Sequence, residues 1–231
     1  MSSDYSPSPV PTSSVPESPN TPPPLPLSEL AEFDKIPENA ILTNPKFFAR
    51  GGHSHLYLVT VWYQERSRRC ALKIFDSRHK YDYLDEIQAY QYLSHLEIMD
   101  EGVVPIVFGV DKWSEKDFDR ILKGAEYVGG MTFPARVILM EFIAGSEQLS
   151  VDNITVDIAK KALRGIRRIH FAGVTHGDIA CRNILVAPGR VVWIDFSNGS
   201  CRVDGYQRAV EYRKVKELLF DELVDAPSHK R

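Results

Sequence analysis

The residues "HGDIACRN", His176 to Asn183, put a carboxylate at Asp178 and a carboxamide five positions later at Asn183. A helical pattern ends before the loop at Phe171, and a strand-forming run, Ile184 to Val186, follows it. Such a loop is either a solvated turn or a site that handles a proton and a cation. A second acid, Asp195, ends the apolar run "VVWID". Two carboxylates and an amide oxygen suit a hard cation such as Mg²⁺, which takes oxygen ligands and keeps waters for phosphate groups. Each acid taken singly reads equally well as a cap or turn residue. In the front half, Lys73 in "CALKIF" lies inside an apolar strand, on one face with Ala71 and Phe75. A lysine that points into a semi-buried space needs an anion; on a solvated face it needs none. Glu86, on the edge of the buried stripe of the next helical pattern, would pair with it. Asp85 is the neighbouring alternative, rotated by roughly 100° on the helix.

Those groups need elements to hold them. "FFARGGHSHLYLVTVWYQ" reads as strand, glycine turn, strand, and Arg68 to Phe75 as a third strand. In the turn, Ala49, Gly51, Gly52 and Ser54 are small enough to let backbone N–H groups approach phosphate oxygens, although a plain hairpin would use the same residues. From Tyr81 to Leu96 apolar residues recur at helical spacing. Val104–Val110 and Arg136–Ile143 are further strands, and the polar stretch Asp111 to Met131 between them is expected to be a loop or surface insertion. Val156 to Gly173 is an amphipathic helix, "ILVAPGRVVWIDF" a hairpin turning at Pro188-Gly189, and Gln207 to Val224 a last helix. The order predicts an α+β fold with two unequal lobes.

Composition narrows the class. The chain has 231 residues, 43% hydrophobic and 26% charged, with a net charge of −3, a globular balance that does not suit a nucleic-acid polymer as main partner. No apolar run is long enough to span a bilayer, and no signal-peptide pattern opens the chain. Three cysteines without metal-like spacing fit a reducing cytoplasm or nucleus. Residues 1–28 differ: "SPSPVPTSSVPESPNTPPPLPL" holds nine prolines and is expected to be a disordered tail. It reads as a solubilising segment or as a ligand for a proline-recognising partner. His53 and His55 are spaced like a metal pair, but no carboxylate or cysteine is near in sequence, so they read as a polar loop. His170 reads as a helix-end contact.

Lysine, helix glutamate, loop aspartate, loop asparagine and strand-end aspartate occur in one order, and in this the chain resembles the protein kinase-like superfamily from about Arg50 to Asn198. "CALKIF" is similar to the "VAIK" strand, "HGDIACRN" to the catalytic loop H-R-D-x-x-x-x-N, and "IDFS" to D-F-G. The resemblance implies a bilobal fold over residues 29–231, with an N-lobe of about 40–143 and a shortened C-lobe of about 144–231. It implies ATP and Mg²⁺ as cofactors. Lys73 would hold the α- and β-phosphates, Asn183 and Asp195 the metal, and Asp178 the acceptor hydroxyl, with Arg182 adding positive charge near the transferred group. The nucleotide would lie against Leu56, Ala71 and Leu185. Met140 would be the gatekeeper, and the backbone of Glu141 to Ile143 would meet the adenine edge. His176 would pack rather than act as a base.

The chain departs from the pattern at four places. Ala49 and Ser54 stand where glycines are usual, Gly177 replaces the catalytic-loop arginine, and Ser197 ends the D-F-G match. Only 36 residues follow Asp195, a shortness like that of compact atypical kinases: the small kinase of the KEOPS complex, the RIO kinases, and the lipopolysaccharide and aminoglycoside kinases. The reading is a phosphotransferase acting on a protein substrate, with serine or threonine favoured over tyrosine. A pseudokinase scaffold and a small-molecule kinase are the alternatives. The latter needs an acceptor pocket, for which the rear half offers little material.

Overall fold

The computed structural model describes residues 30–123 and 130–224. The proline-rich tail, with its expected disorder and proline-recognising partner, and part of the expected insertion lie outside the described residues. Five antiparallel strands form the front sheet: β1 (Ile41–Arg50), β2 (Ser54–Tyr63), β3 (Arg66–Phe75), β4 (Val107–Trp113) and β5 (Ala135–Glu141). Their order across the sheet is β1-β2-β3-β5-β4. Helix α1 (Lys80–His95) follows β3, and the short helix α2 (Glu115–Ile121) follows β4.

Strand alternation splits the apolar residues of this sheet between two cores, because successive side chains point to opposite faces. Ala71, Phe75, Ile138 and Met140 face α1 and the helical rear half. Cys70, Leu72, Ile74, Val137 and Leu139 face the other way, with Tyr57, Val59 and Val61 of β2. That second face is covered by α2, where the sequence suggested a loop over Asp111 to Met131. Phe118 and Leu122 bury against it. The signal for α2 is short but present. Ser114 accepts from the Asp117 N–H while the Asp117 carboxylate accepts from the Ser114 N–H, a reciprocal cap that starts a helix.

The rear half contains β6 (Glu147–Gln148), α3 (Val156–Phe171), β7 (Val174–Thr175), β8 (Ile184–Ala187), β9 (Arg190–Trp193), β10 (Ser200–Cys201) and α4 (Gly205–Lys216). The chain continues past α4 as a wider, i→i+5 helix over Glu217–Val224. Thr155 caps α3 by accepting from the Ile158 N–H. Gly173, at φ +74°, follows its C-terminus, as the sequence predicted. The β8–β9 hairpin pairs Ala187 with Arg190, leaving Pro188 and Gly189 as a two-residue turn. The fold is therefore mixed α and β, with a strand-rich front lobe and a helical rear lobe. No helix among the described residues is long and apolar enough to cross a membrane.

The hairpin is fixed on α3 by Trp193. Its side chain is fully buried, its Nε1 donates to the Ala162 carbonyl at 3.1 Å, and its ring fills the space above Gly165. A Cβ at Gly165 would stand 3.0 Å from Trp193 Cδ1, so only glycine admits the ring at this distance. Trp193→Ala removes a large buried ring and is expected to cost about 3–5 kcal/mol. The largely exposed Tyr206 supplies the control, because Tyr206→Ala loses little burial. Urea unfolding should show a lower midpoint for the first variant and an almost unchanged midpoint for the second.

Candidate active site

The strand alternation that builds two cores also turns Lys73 inward, beside Ala71 and Phe75. A buried ammonium must be paired and hydrogen-bonded. Lys73 Nζ lies 2.5 Å from Glu86 Oε2 on α1 and 2.9 Å from Asp195 Oδ1. Glu86, rather than Asp85, is thus the helix partner. Burial favours the neutral amine, but the two carboxylates outweigh it and raise the Lys73 pKa. Burial pushes Glu86 up to about 7 against the pull of Lys73. Burial also acts to raise Asp195, yet Lys73 and Ser197 bring it down to about 2. Glu86 Oε1 is buried with no hydrogen-bond partner among the described residues.

Asp195 follows β9 with φ +66°, a left-handed conformation uncommon outside glycine and tolerated best by Asn and Asp. Ser197 holds it there, donating from its hydroxyl to Asp195 Oδ1 at 2.7 Å. The serine that ends the D-F-G match therefore adds a donor to the acid and takes no ligand away.

The loop from His176 to Asn183 is held from within. His176 is fully buried against the rings of Trp193 and Phe196. Its Nε2 donates to the Ile194 carbonyl at 2.9 Å, and its Nδ1 accepts from the Asp178 N–H at 3.3 Å. Burial lowers its pKa, so it is a neutral strut with its tautomer set by these two bonds. Asp178 Oδ2 accepts from Arg182 Nη2 at 2.7 Å and from Asn183 Nδ2 at 2.9 Å. Asn183 Nδ2 also donates to the Asp178 carbonyl, which leaves Oδ1 as the atom that can meet a cation. Asn183 Oδ1 and the Asp195 carboxylate are both hard oxygen donors, and this set fits Mg²⁺.

Two further residues set the loop, and only one was visible in the sequence. Gly177 has φ +81°, and a Cβ there would overlap the Asn198 carbonyl oxygen at 1.8 Å. The missing arginine is thus a steric requirement: no side chain fits between the two loops. Glu211, on α4, was not singled out. It is 7% exposed and accepts from the N–H groups of His176 at 3.0 Å and Gly177 at 2.8 Å, and from His170 Nε2 at 2.7 Å. His170 is therefore a hydrogen-bond partner of Glu211 rather than a contact made only with its own helix end. An acidic residue on a polar helix carries no sequence mark of burial, which is why Glu211 escapes a reading by periodicity.

The residues expected around a nucleotide lie as follows. Ala49 pairs with Leu56 across β1 and β2, and Leu56 pairs with Lys73 on β3. The turn between β1 and β2 carries Gly51 and Gly52 and is closed by Gly51 N–H donating to the Ser54 carbonyl at 2.9 Å. Ala71 pairs with Met140 on β5, and both share one apolar cluster with Leu56. Glu141 ends β5, and its N–H is already given to the Ile106 carbonyl at 2.8 Å, so that amide is not available to adenine. Ile143 is buried just beyond the strand. Leu185 is half-buried on β8, paired with Val192.

The carboxylate of Glu211 feels burial, which alone would raise its pKa. The His170 hydrogen bond and the two loop N–H groups reverse this and lower it. A carboxyl depressed in the folded state stabilises the fold above its unfolded pKa, and that stability is lost as pH falls through the folded value. Urea midpoints of the wild type should therefore drop as pH falls below the ordinary glutamate range. Glu211→Gln should be less stable at neutral pH and should show a flatter acid limb.

Comparison with known proteins agrees with this geometry. The family model of the RIO domain matches residues 57–204, which include β3, α1, the His176–Asn183 loop and Asp195. The "EKC/KEOPS complex subunit bud32" of Aspergillus clavatus is 27% identical over 84% of this chain and 79% of its own length. The protein of the same description from Aspergillus fumigatus is 26% identical over the same shares, and that of Emericella nidulans 27% over 71% of this chain and 64% of its own. With its kinase-like lysine, acids and catalytic-type loop inside the matched region, the chain belongs to the RIO-domain family of atypical protein kinase-like proteins.

Proposed function

We propose that this chain is an ATP- and Mg²⁺-dependent phosphotransferase that moves the γ-phosphoryl group to a protein hydroxyl, with serine or threonine favoured over tyrosine on family likeness. The observation that carries this reading is Lys73 held between Glu86 and Asp195, with Asp178 and Asn183 bonded to each other in the adjoining loop. Bound Mg²⁺ would neutralise phosphate charge at Asn183 and Asp195. Lys73, already protonated, would hold the α- and β-phosphates. Asp178 would orient the acceptor hydroxyl and take its proton, and Arg182 would offset charge on the transferred group. The small turn at Ala49, Gly51, Gly52 and Ser54 would cover the phosphates. Leu56, Ala71, Met140, Ile143 and Leu185 would enclose the adenine, with the backbone near Glu141 at its edge.

A cavity of about 610 Å³ opens beside Asp178, between the loop and α4 with its extension. Its walls include Asp178, Glu211, Glu217 and Glu222 against the single ammonium of Lys214. Asp178 is shared with Arg182 and Glu211 is turned to the loop amides, so Glu217 and Glu222 supply the acidic surplus over Lys214, which favours a basic acceptor segment. The cavity also gives the small-molecule reading a specific support, since its size falls within that of ligand pockets, ~300–1,000 Å³.

The relatives are described as subunits of a complex, and we place this chain in a multi-protein assembly too. The exposed apolar residues Ile41 and Trp62, paired across β1 and β2 at the open sheet edge, supply a surface for it. A cytoplasmic or nuclear setting suits the three free thiols of Cys70, Cys181 and Cys201.

The test is transfer from γ-labelled ATP with Mg²⁺ to a basic protein acceptor. Wild type should label the acceptor, and Asp195→Ala should not. Asp178→Asn should lower turnover by about 10²–10⁴-fold while nucleotide binding persists. Label in a small metabolite fraction would favour the small-molecule reading. Neither transfer nor nucleotide binding in the wild type would leave a scaffold.

A further inference from the structure

We propose that His53, His79 and Asp82 form a binding site for a zinc-class divalent ion, which clips the β1–β2 turn to the start of α1. In sequence His53 has no metal-ligating carboxylate beside it, and its neighbour His55 turns into the interior of the sheet instead. The fold supplies the partners. His53 sits in the glycine turn, His79 immediately precedes α1, and Asp82 lies in the first helical turn.

His53 Nδ1 is 2.6 Å from Asp82 Oδ1, and His79 Nδ1 is 3.1 Å from Asp82 Oδ2. The two imidazoles stack with centroids 4.7 Å apart and planes 24° from parallel. One ligand atom from each residue falls within 4.8 Å of the other two. Both rings thus turn the same nitrogen towards one carboxylate.

An ion bound at about 2.0–2.1 Å from nitrogen and oxygen in a tetrahedral site needs ligand atoms about 3.4 Å apart. The two hydrogen-bonded spacings must widen to that value and the remaining spacing, at most 4.8 Å, must close to it, and the partial exposure of the cluster permits the side-chain rotations this takes. Solvent completes the coordination, as in open zinc sites. Two imidazole nitrogens and one carboxylate select zinc, cobalt or nickel over Mg²⁺ and Ca²⁺, which take oxygen ligands. The site is therefore chemically separate from the all-oxygen pair of Asn183 and Asp195. Asp82 lies four residues before Glu86, on the same face of α1. An ion here ties the turn carrying Gly51 and Gly52 to the helix that holds Lys73.

The experiment titrates untagged full-length protein with Co²⁺ and Zn²⁺ and follows Co²⁺ absorption, calorimetric stoichiometry and backbone amide exchange. One ion per chain is expected, with a visible cobalt spectrum lacking sulfur-to-metal charge transfer. Affinity should fall at least about tenfold in His53→Ala and in Asp82→Asn, because each removes a direct ligand. Zn²⁺ should slow exchange across residues 51–54 in the wild type only. Since His53 is exposed, melting of metal-free His53→Ala should match the wild type and exclude misfolding. Unchanged affinity in both variants, or a thiolate charge-transfer band, would overturn the site. None of these readouts requires phosphoryl transfer.

Discussion

A protonated lysine buried between two carboxylates constrains the rest of this molecule. Lys73 cannot remain charged at that depth unless Glu86 and Asp195 both reach it, and they come from a helix 13 residues away and a loop 122 residues away. Removing one partner of a buried pair leaves an uncompensated charge and typically costs about 3–5 kcal/mol. The alternation of β3, the rotation of α1 and the position of the β9 end must therefore agree with one another. The left-handed backbone of Asp195 is kept by the same contacts, since Lys73 and Ser197 both bind its Oδ1.

The loop that carries Asp178 depends on a second buried acid. Glu211 binds two consecutive backbone N–H groups and an imidazole, so α4 anchors the loop from behind while His176 anchors it from beneath. Backbone donors buried without acceptors would be costly. One helix can thus hold the loop in place, provided that helix presents a carboxylate. Gly177 completes the arrangement by letting the Asn198 carbonyl approach where no Cβ could stand. The departures from the usual kinase loop are in this sense structural consequences of how the two loops pack.

The chain's membership of the RIO-domain family matches this economy. One sheet, backed by α2 on its far face, carries Lys73; α1 carries Glu86; a hairpin locked on α3 by Trp193 delivers Asp195. The cavity beside Asp178 is made by the loop, α4 and its extension, so one helix both anchors the loop and walls the cavity.

Much of this was legible in the sequence because it is local or periodic. The order of Lys73, Glu86, Asp178, Asn183 and Asp195, the inward face of β3, the helices α1 and α3 and the Pro188-Gly189 turn all follow from spacing and residue type. What stayed hidden depends on distant residues meeting. The helix α2 was masked by polarity, its cap outweighed by its charged residues. Glu211 looked like any surface glutamate, and nothing in a linear string says that two loop amides will face it. His53 had no carboxylate near it until the fold brought Asp82 across 29 residues. The amino-acid order alone set which groups could do chemistry and which strand faces were apolar, since both are properties of single residues and their period. Only the tertiary structure decided which charges are paired, because pairing a buried charge is settled by where separate elements come to rest.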